Sequence, residues 1–149
     1  MNILFNYNWD IREEWFKWCE EVDIEELLQE RTGGVGGILH TLFHIVDVEY
    51  SWICILNGVP EFNEPFSDYQ SLTKVRELSQ KCHREVRTYI ENCTPDMYQN
   101  KVDGIDFTVG EILHHMIAHE IHHIGQLSVW AREIGSKPVS ANLIGKGYY

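Results

Sequence analysis

The sequence predicts an all-α fold, a four-helix bundle with a long crossover connection, and three observations predict it. Apolar residues recur at three- and four-residue spacings in four segments of roughly 18 to 26 residues, the period of an amphipathic or buried helix. Glycine, proline, Asn-Gly and Asp-Gly signals separate those segments. The 149 residues, 44% of them hydrophobic, suit one compact domain spanning 1–149 whose core can be buried without metal or disulfide staples. No internal repeat, low-complexity tract or linker divides it.

The first helix runs from Ile3 to about Val22, where Leu4, Phe5, Trp15, Phe16, Cys19 and Val22 fall largely on one face. A polar stretch through Glu30 and Arg31 leads into Gly33, Gly34, Gly36 and Gly37, four glycines in five positions that disfavour a helical interior. The second helix, Ile38 to Leu56, is apolar on most sides and stops at Asn57-Gly58, with Pro60 beyond. Gly58 to Gln70 holds two prolines and no helical period, so it reads as a surface connection able to carry the chain along a bundle. The third helix spans Leu72 to Asn92 and ends before Thr94-Pro95. Between Met97 and Phe107, Asp103-Gly104 suits a tight turn, which predicts a small β-hairpin before the last helix. Thr108-Val109-Gly110-Glu111 matches a capping box, in which hydroxyl and carboxylate satisfy free amides at a helix start. The fourth helix then runs to about Ile134, with Gly135 as its cap and Pro138 beyond. Ser136 to Tyr149 is a short, mildly apolar tail expected to pack on the bundle.

Charge narrows the function classes. Twelve Lys plus Arg stand against 23 Asp plus Glu, a net charge of −11 that repels nucleic-acid phosphates and anionic lipid surfaces. A small-molecule substrate or another protein is the expected partner, with no nucleic acid and no membrane. No basic-then-apolar signal pattern opens the sequence, and no apolar run approaches the roughly 20 residues that a bilayer requires, so a cytoplasmic protein is expected. Cys19, Cys54, Cys82 and Cys93 lie far apart without a Cys-x-x-Cys pair, the pattern of reduced and buried thiols. Trp9, Trp15, Trp18, Trp52 and Trp130 are expected to pack in the core or at an interface rather than to stack on a ligand.

The anomaly in the composition is histidine. Of eight, five (His114, His115, His119, His122 and His123) fall within ten positions. A four-residue step on a helix turns about 400°, so His119 and His123 sit about 40° apart in azimuth and about 6 Å apart along the axis, and both imidazoles can reach one ion. Two ligands rarely hold a divalent metal against water. His44 is the best third candidate, because it lies mid-helix in an apolar segment where an unpaired imidazole costs desolvation energy. Three neutral imidazoles leave a coordination position open, as in catalytic zinc sites, where a thiol or water is activated by a lowered pKa. His40, His83, His114 and His122 are expected to be bonded to neighbours or solvated. His115 continues the stripe but lies about 12 Å from His123 along the axis.

Two carboxylates are candidate catalytic residues. Glu49 follows His44 closely and is a candidate for orienting a ligand imidazole, and Asp47 is a weaker one. Glu120 neighbours His119, but about 100° around the helix, so a general-base role requires it to face the same cavity; solvation is the ordinary alternative. His119-Glu120-Ile121-His122-His123 also fits the His-Glu-x-x-His pattern of metallopeptidases. The extended form of that pattern needs a glycine and a third histidine where this chain has Gln126 and Val129.

Two blocks carry a family resemblance. Leu42-Phe43-His44-Ile45-Val46-Asp47-Val48-Glu49-Tyr50-Ser51-Trp52 and His119-Glu120-Ile121-His122-His123-Ile124-Gly125-Gln126-Leu127 resemble the buried helix and the terminal-helix signature of the DinB-like (DinB/YfiT) family of metal-dependent enzymes. The resemblance implies a four-helix bundle with non-sequential helix order, frequent homodimers, and one divalent transition metal, zinc or nickel, on His44, His119 and His123. It further implies a thiol-dependent S-transferase or hydrolase acting on a small molecule, in some relatives with a low-molecular-weight thiol as cosubstrate. A non-catalytic metal-binding or interaction module is the alternative. Where the family usually carries an arginine after the last histidine, this chain has Ile124, which removes a positive charge beside the expected site. Gln126 and Tyr50 stand close enough in these blocks to line it.

Overall fold

A computed structural model describes residues 2–149. Five α-helices form among the described residues: α1 (Asn2–Glu20), α2 (Ile24–Leu28), α3 (Ile38–Leu56), α4 (Leu72–Asn92) and α5 (Val109–Glu133). Single 3-10 turns occupy Phe66–Tyr69 and Pro95–Gln99. The four long helices make a bundle in which α1 and α3 each pack against both α4 and α5, so the two pairs face each other across the diagonals. The helix order around the bundle is therefore non-sequential.

Local chemistry sets the helix ends. At the start of α4 the Ser71 hydroxyl accepts from the Lys74 amide at 3.4 Å. The capping box at α5 is complete, with the Glu111 amide donating to Thr108 Oγ1 at 3.2 Å and the Thr108 amide donating to Glu111 Oε2 at 2.7 Å. Gly135, at φ +76°, turns the chain out of α5 in the left-handed conformation that L side chains avoid.

The core runs the length of the bundle. Trp15, Phe5, Phe16, Ile38, Leu42, Ile53, Cys82 and Leu113 are all buried in one continuous cluster. Trp9, Trp15 and Trp130 are buried as well, in keeping with a packing role. By length and composition α3 is able to cross a bilayer, contrary to the expectation from the sequence, but here it is the central helix, packed on α2, α4 and α5.

Two expectations need correction. The hairpin reduces to a single antiparallel bridge between Lys101 and Thr108, and no strand forms among the described residues. The 3-10 turn ends at Gln99 and the cap of α5 begins at Thr108, which leaves too little chain on either side of the turn for a ladder. The connection after α3 is long, yet it joins neighbouring helices, and it folds inward through Phe62, Phe66 and Tyr69. The diagonal crossings are made by residues 21–37, which hold α2, and by residues 93–108.

Candidate metal centre

His44 projects from α3, between the buried Phe43 and Ile45, and His119 and His123 project from α5, which packs against it. The helical step brings the α5 pair onto one side, and the α3–α5 contact supplies the third imidazole. His119 Nε2 lies 3.1 Å from His44 Nε2 and 3.1 Å from His123 Nε2. One ligand atom from each of the three falls within 4.8 Å of the others. His44 and His119 are half-buried and His123 is buried.

Hydrogen bonding alone accounts poorly for this convergence. A neutral imidazole carries one N–H, so His119 Nε2 either donates to one neighbour and turns its proton away from the other, or offers one lone pair to two donors. A cation at the centre satisfies all three lone pairs at once. With metal–nitrogen distances of about 2.0–2.1 Å, tetrahedral geometry puts neighbouring ligand nitrogens about 3.3 Å apart, near the 3.1 Å of the two pairs that His119 makes. The donor set and its geometry fit a divalent transition metal.

The imidazoles are held in the neutral state that coordination requires. Burial first, and the neighbouring imidazoles second, push His44 down to about 4 and His119 down to about 3. His123 is lowered as well, chiefly by burial. An unfolded chain protonates these side chains near the ordinary value of about 6.5, well before the folded chain does. Their contribution to stability is therefore complete above about pH 6.5 and is lost as pH falls toward 4 and 3. Chelator-treated protein should show a urea midpoint that falls between about pH 7 and pH 5, with a shallower slope in the His44→Ala/His119→Ala double variant. Equal slopes in the two proteins would refute this reading of the histidines.

The remaining histidines have ordinary partners. His40 stacks on Phe66 with ring centroids 4.2 Å apart, and His83 stacks on Trp9 at 4.0 Å. His114 Nδ1 bonds the Gly110 carbonyl at 2.7 Å, and His122 bonds Gln126 at 3.1 Å. His115 lies edge-on to Trp52, with its ring 5.7 Å from that of His119, outside the trio.

Neither candidate carboxylate meets an imidazole. Glu120 is buried, and its two oxygens accept from Arg12 Nε at 2.7 Å and Arg12 Nη2 at 2.5 Å. Glu49, also buried, accepts from Arg12 Nη1 at 2.7 Å, from Trp9 Nε1 at 3.0 Å and from the Cys82 thiol at 3.5 Å. Neither side chain is solvated, which was the ordinary alternative for Glu120. Burial would depress the Arg12 guanidinium, but Glu120 and Glu49 outweigh it and keep it firmly protonated. Burial raises Glu120, against the opposing pull of Arg12. The His-Glu-x-x-His reading thus loses its base, because the glutamate is tied to α1. Asp47 is pushed up by burial and by Glu61. Tyr50 turns away to donate to Glu85 at 2.8 Å.

Arg12 was not singled out from the sequence. The signal was there: Phe5, Asn8, Trp9, Arg12, Trp15, Phe16 and Cys19 form one buried stripe on α1, and an arginine in such a stripe needs a buried acid. Ile124 is buried in the core, close in sequence to the trio but packed with the apolar cluster.

Comparison with known proteins agrees with the two-block resemblance. The chain is 50% identical over 151 residues to the uncharacterized protein YizA of Bacillus subtilis (strain 168), covering 98% of this chain and 95% of that protein. The model of the DinB family matches residues 1–148. The chain belongs to the DinB family.

Proposed function

We propose that the protein holds one zinc or nickel ion on His44, His119 and His123 and uses it to activate a thiol or water against a small electrophilic substrate. The observation that carries this reading is the approach of three Nε2 atoms, with His119 3.1 Å from each of the others. When bound, the ion supplies Lewis acidity in a setting where three neutral ligands leave its positive charge undiminished. The chain's part is to hold three imidazoles neutral and to keep carboxylates off the ion. Arg12 does the latter by binding Glu49 and Glu120 on its own side.

The test is turnover. Protein stripped with chelator and reloaded with zinc or nickel is incubated with a thiol, cysteine or glutathione, and an aromatic electrophile whose thioether product absorbs. Product formation is expected to need metal, thiol and His119 together; hydrolysis without thiol would assign water as the nucleophile. A second reading, a metal-binding module without turnover, is favoured by the absence of any carboxylate bonded to the trio among the described residues. Stoichiometric metal with no turnover under any of these conditions would select it.

The same reading makes the protein a single-domain homodimer of the cytoplasm. The continuous core supports one domain, and the four free thiols Cys19, Cys54, Cys82 and Cys93 suit a reducing compartment. Ile121 and Val129, 44% and 55% exposed on α5, give an apolar face for a second copy.

A further inference from the structure

Gln126 lies one turn beyond His122 and His123 on α5 and bonds both. Its Oε1 accepts from His123 Nδ1 at 2.7 Å, and its Nε2 donates to His122 Nε2 at 3.1 Å. Because both ends of the carboxamide are used, its orientation is fixed, and the His123 proton must sit on Nδ1. That leaves His123 Nε2 as a bare lone pair, 3.1 Å from His119 Nε2.

The carboxamide is confined from the other side by the glycine-rich turn that precedes α3. A Cβ built on Gly34 would lie 2.4 Å from Gln126 Oε1 and 2.9 Å from its Cδ, closer than real Cβ contacts come. The turn is itself anchored: Trp130 Nε1 on α5 donates to the Thr32 carbonyl at 3.2 Å, and the Arg31 amide donates to the Gly36 carbonyl at 2.7 Å. No larger residue fits at Gly34 while Gln126 keeps its place.

We infer that Gly34 and Gln126 together are the positioning device of this site: the bare backbone at Gly34 seats the Gln126 carboxamide, which fixes the tautomer and the angle of His123. For its effect on affinity the inference rests on the metal reading; for its effect on the tautomer it does not. The glycines of this turn thus serve more than the bend.

The neighbouring glycine provides the control. Gly33 and Gly34 both have positive φ, +93° and +51°, so alanine at either carries a backbone cost. Only at Gly34 would the methyl meet Gln126, since nothing lies within 4 Å of a Cβ at Gly33. Gly34→Ala and Gln126→Leu are expected to weaken zinc binding, measured by competition with a chromophoric chelator, by about 10–100-fold, the usual cost of losing a ligand's orienting partner. Gly33→Ala, which leaves the Gln126 carboxamide and its acceptor for His123 Nδ1 in place, should bind as wild type. In metal-free protein, the imidazole ¹⁵N shifts should show His123 protonated at Nδ1 in wild type, in Gly33→Ala and in Gln126→Glu, which keeps an acceptor for Nδ1, and mixed tautomers in Gly34→Ala and Gln126→Leu. Matching tautomers in Gly34→Ala and Gly33→Ala would overturn the inference. If wild type binds no zinc, the metal reading fails, and the tautomer comparison still decides the role of Gly34 and Gln126.

Discussion

Alanine at His119 is expected to strip the protein of its metal while leaving the bundle folded. His119 is the centre of the trio, the one imidazole whose Nε2 lies 3.1 Å from both of the others. Its loss leaves His44 on α3 and His123 on α5, two neutral ligands that compete poorly with water for a divalent ion. The affinity should therefore fall by well more than the roughly 10–100-fold that loss of an orienting partner costs. Wild-type protein dialysed against buffer without added metal should retain close to one zinc or nickel per chain by elemental analysis, and His119→Ala almost none. Helicity should persist, because the side chain is half-buried, burial already disfavours its charged form, and alanine is the strongest helix former. His115→Ala is the matched control, since His115 lies on the same stripe but outside the trio, and it should keep its metal. Wild-type metal content in the His119 variant would remove these imidazoles from consideration as ligands.

How much of this was legible in the sequence depends on whether local or distant chemistry set each feature. The bounds of α3 and α4 are those given by apolar spacing and by the breakers Asn57-Gly58 and Thr94-Pro95, and the start of α5 follows from its capping box. These are local signals, satisfied within a turn or two of chain. The five-residue α2 escaped notice because it is too short to show a period and buries only Leu27. The helix order was beyond the reach of spacing, since nothing within a segment says which neighbour it meets; the diagonal placement of α1 and α3 is a property of the packed core. In the site, His119 and His123 were legible as a pair from the helical step, and His44 from the cost of an imidazole in an apolar helix. The partners of Glu49 and Glu120 were not, because the cation that binds them comes from α1, well over thirty residues away from either, as the sequence separations of 37 and 108 show. In the sequence, Gln126 stands out only by its place in the signature block. Its work as an acceptor for His123 depends on the glycine turn, which sequence proximity does not connect to it.

Leucine at Arg12 is expected to have the largest effect on stability. The guanidinium is 2% exposed and lies between Glu49 and Glu120, which are 4% and 2% exposed, so it joins α1 to both α3 and α5 inside the bundle. Removing it leaves two buried carboxylates facing each other without a counter-charge. Breaking a buried ion pair in this way costs about 3–5 kcal/mol, a large share of the roughly 5–15 kcal/mol that holds a typical domain folded. The urea midpoint of Arg12→Leu should fall accordingly, or the variant should be recovered unfolded. A triple replacement, Arg12→Leu with Glu49→Met and Glu120→Met, separates the two causes of such a loss. If uncompensated charge is the cause, apolar side chains of similar volume in all three places restore most of the midpoint, because the desolvation of three ions is relieved together with their attraction. If the triple variant is as unstable as the single one, packing around the guanidinium stem, and not charge, is what Arg12 contributes. Metal binding gives a second readout on the restored protein. Arg12 anchors Glu120 while His119, its neighbour about 100° around α5, faces His44, so the ion pair fixes the rotation of α5 that brings the trio together. A stable triple variant that binds zinc more weakly than wild type would show that the buried charges serve the geometry of the site rather than the stability of the fold.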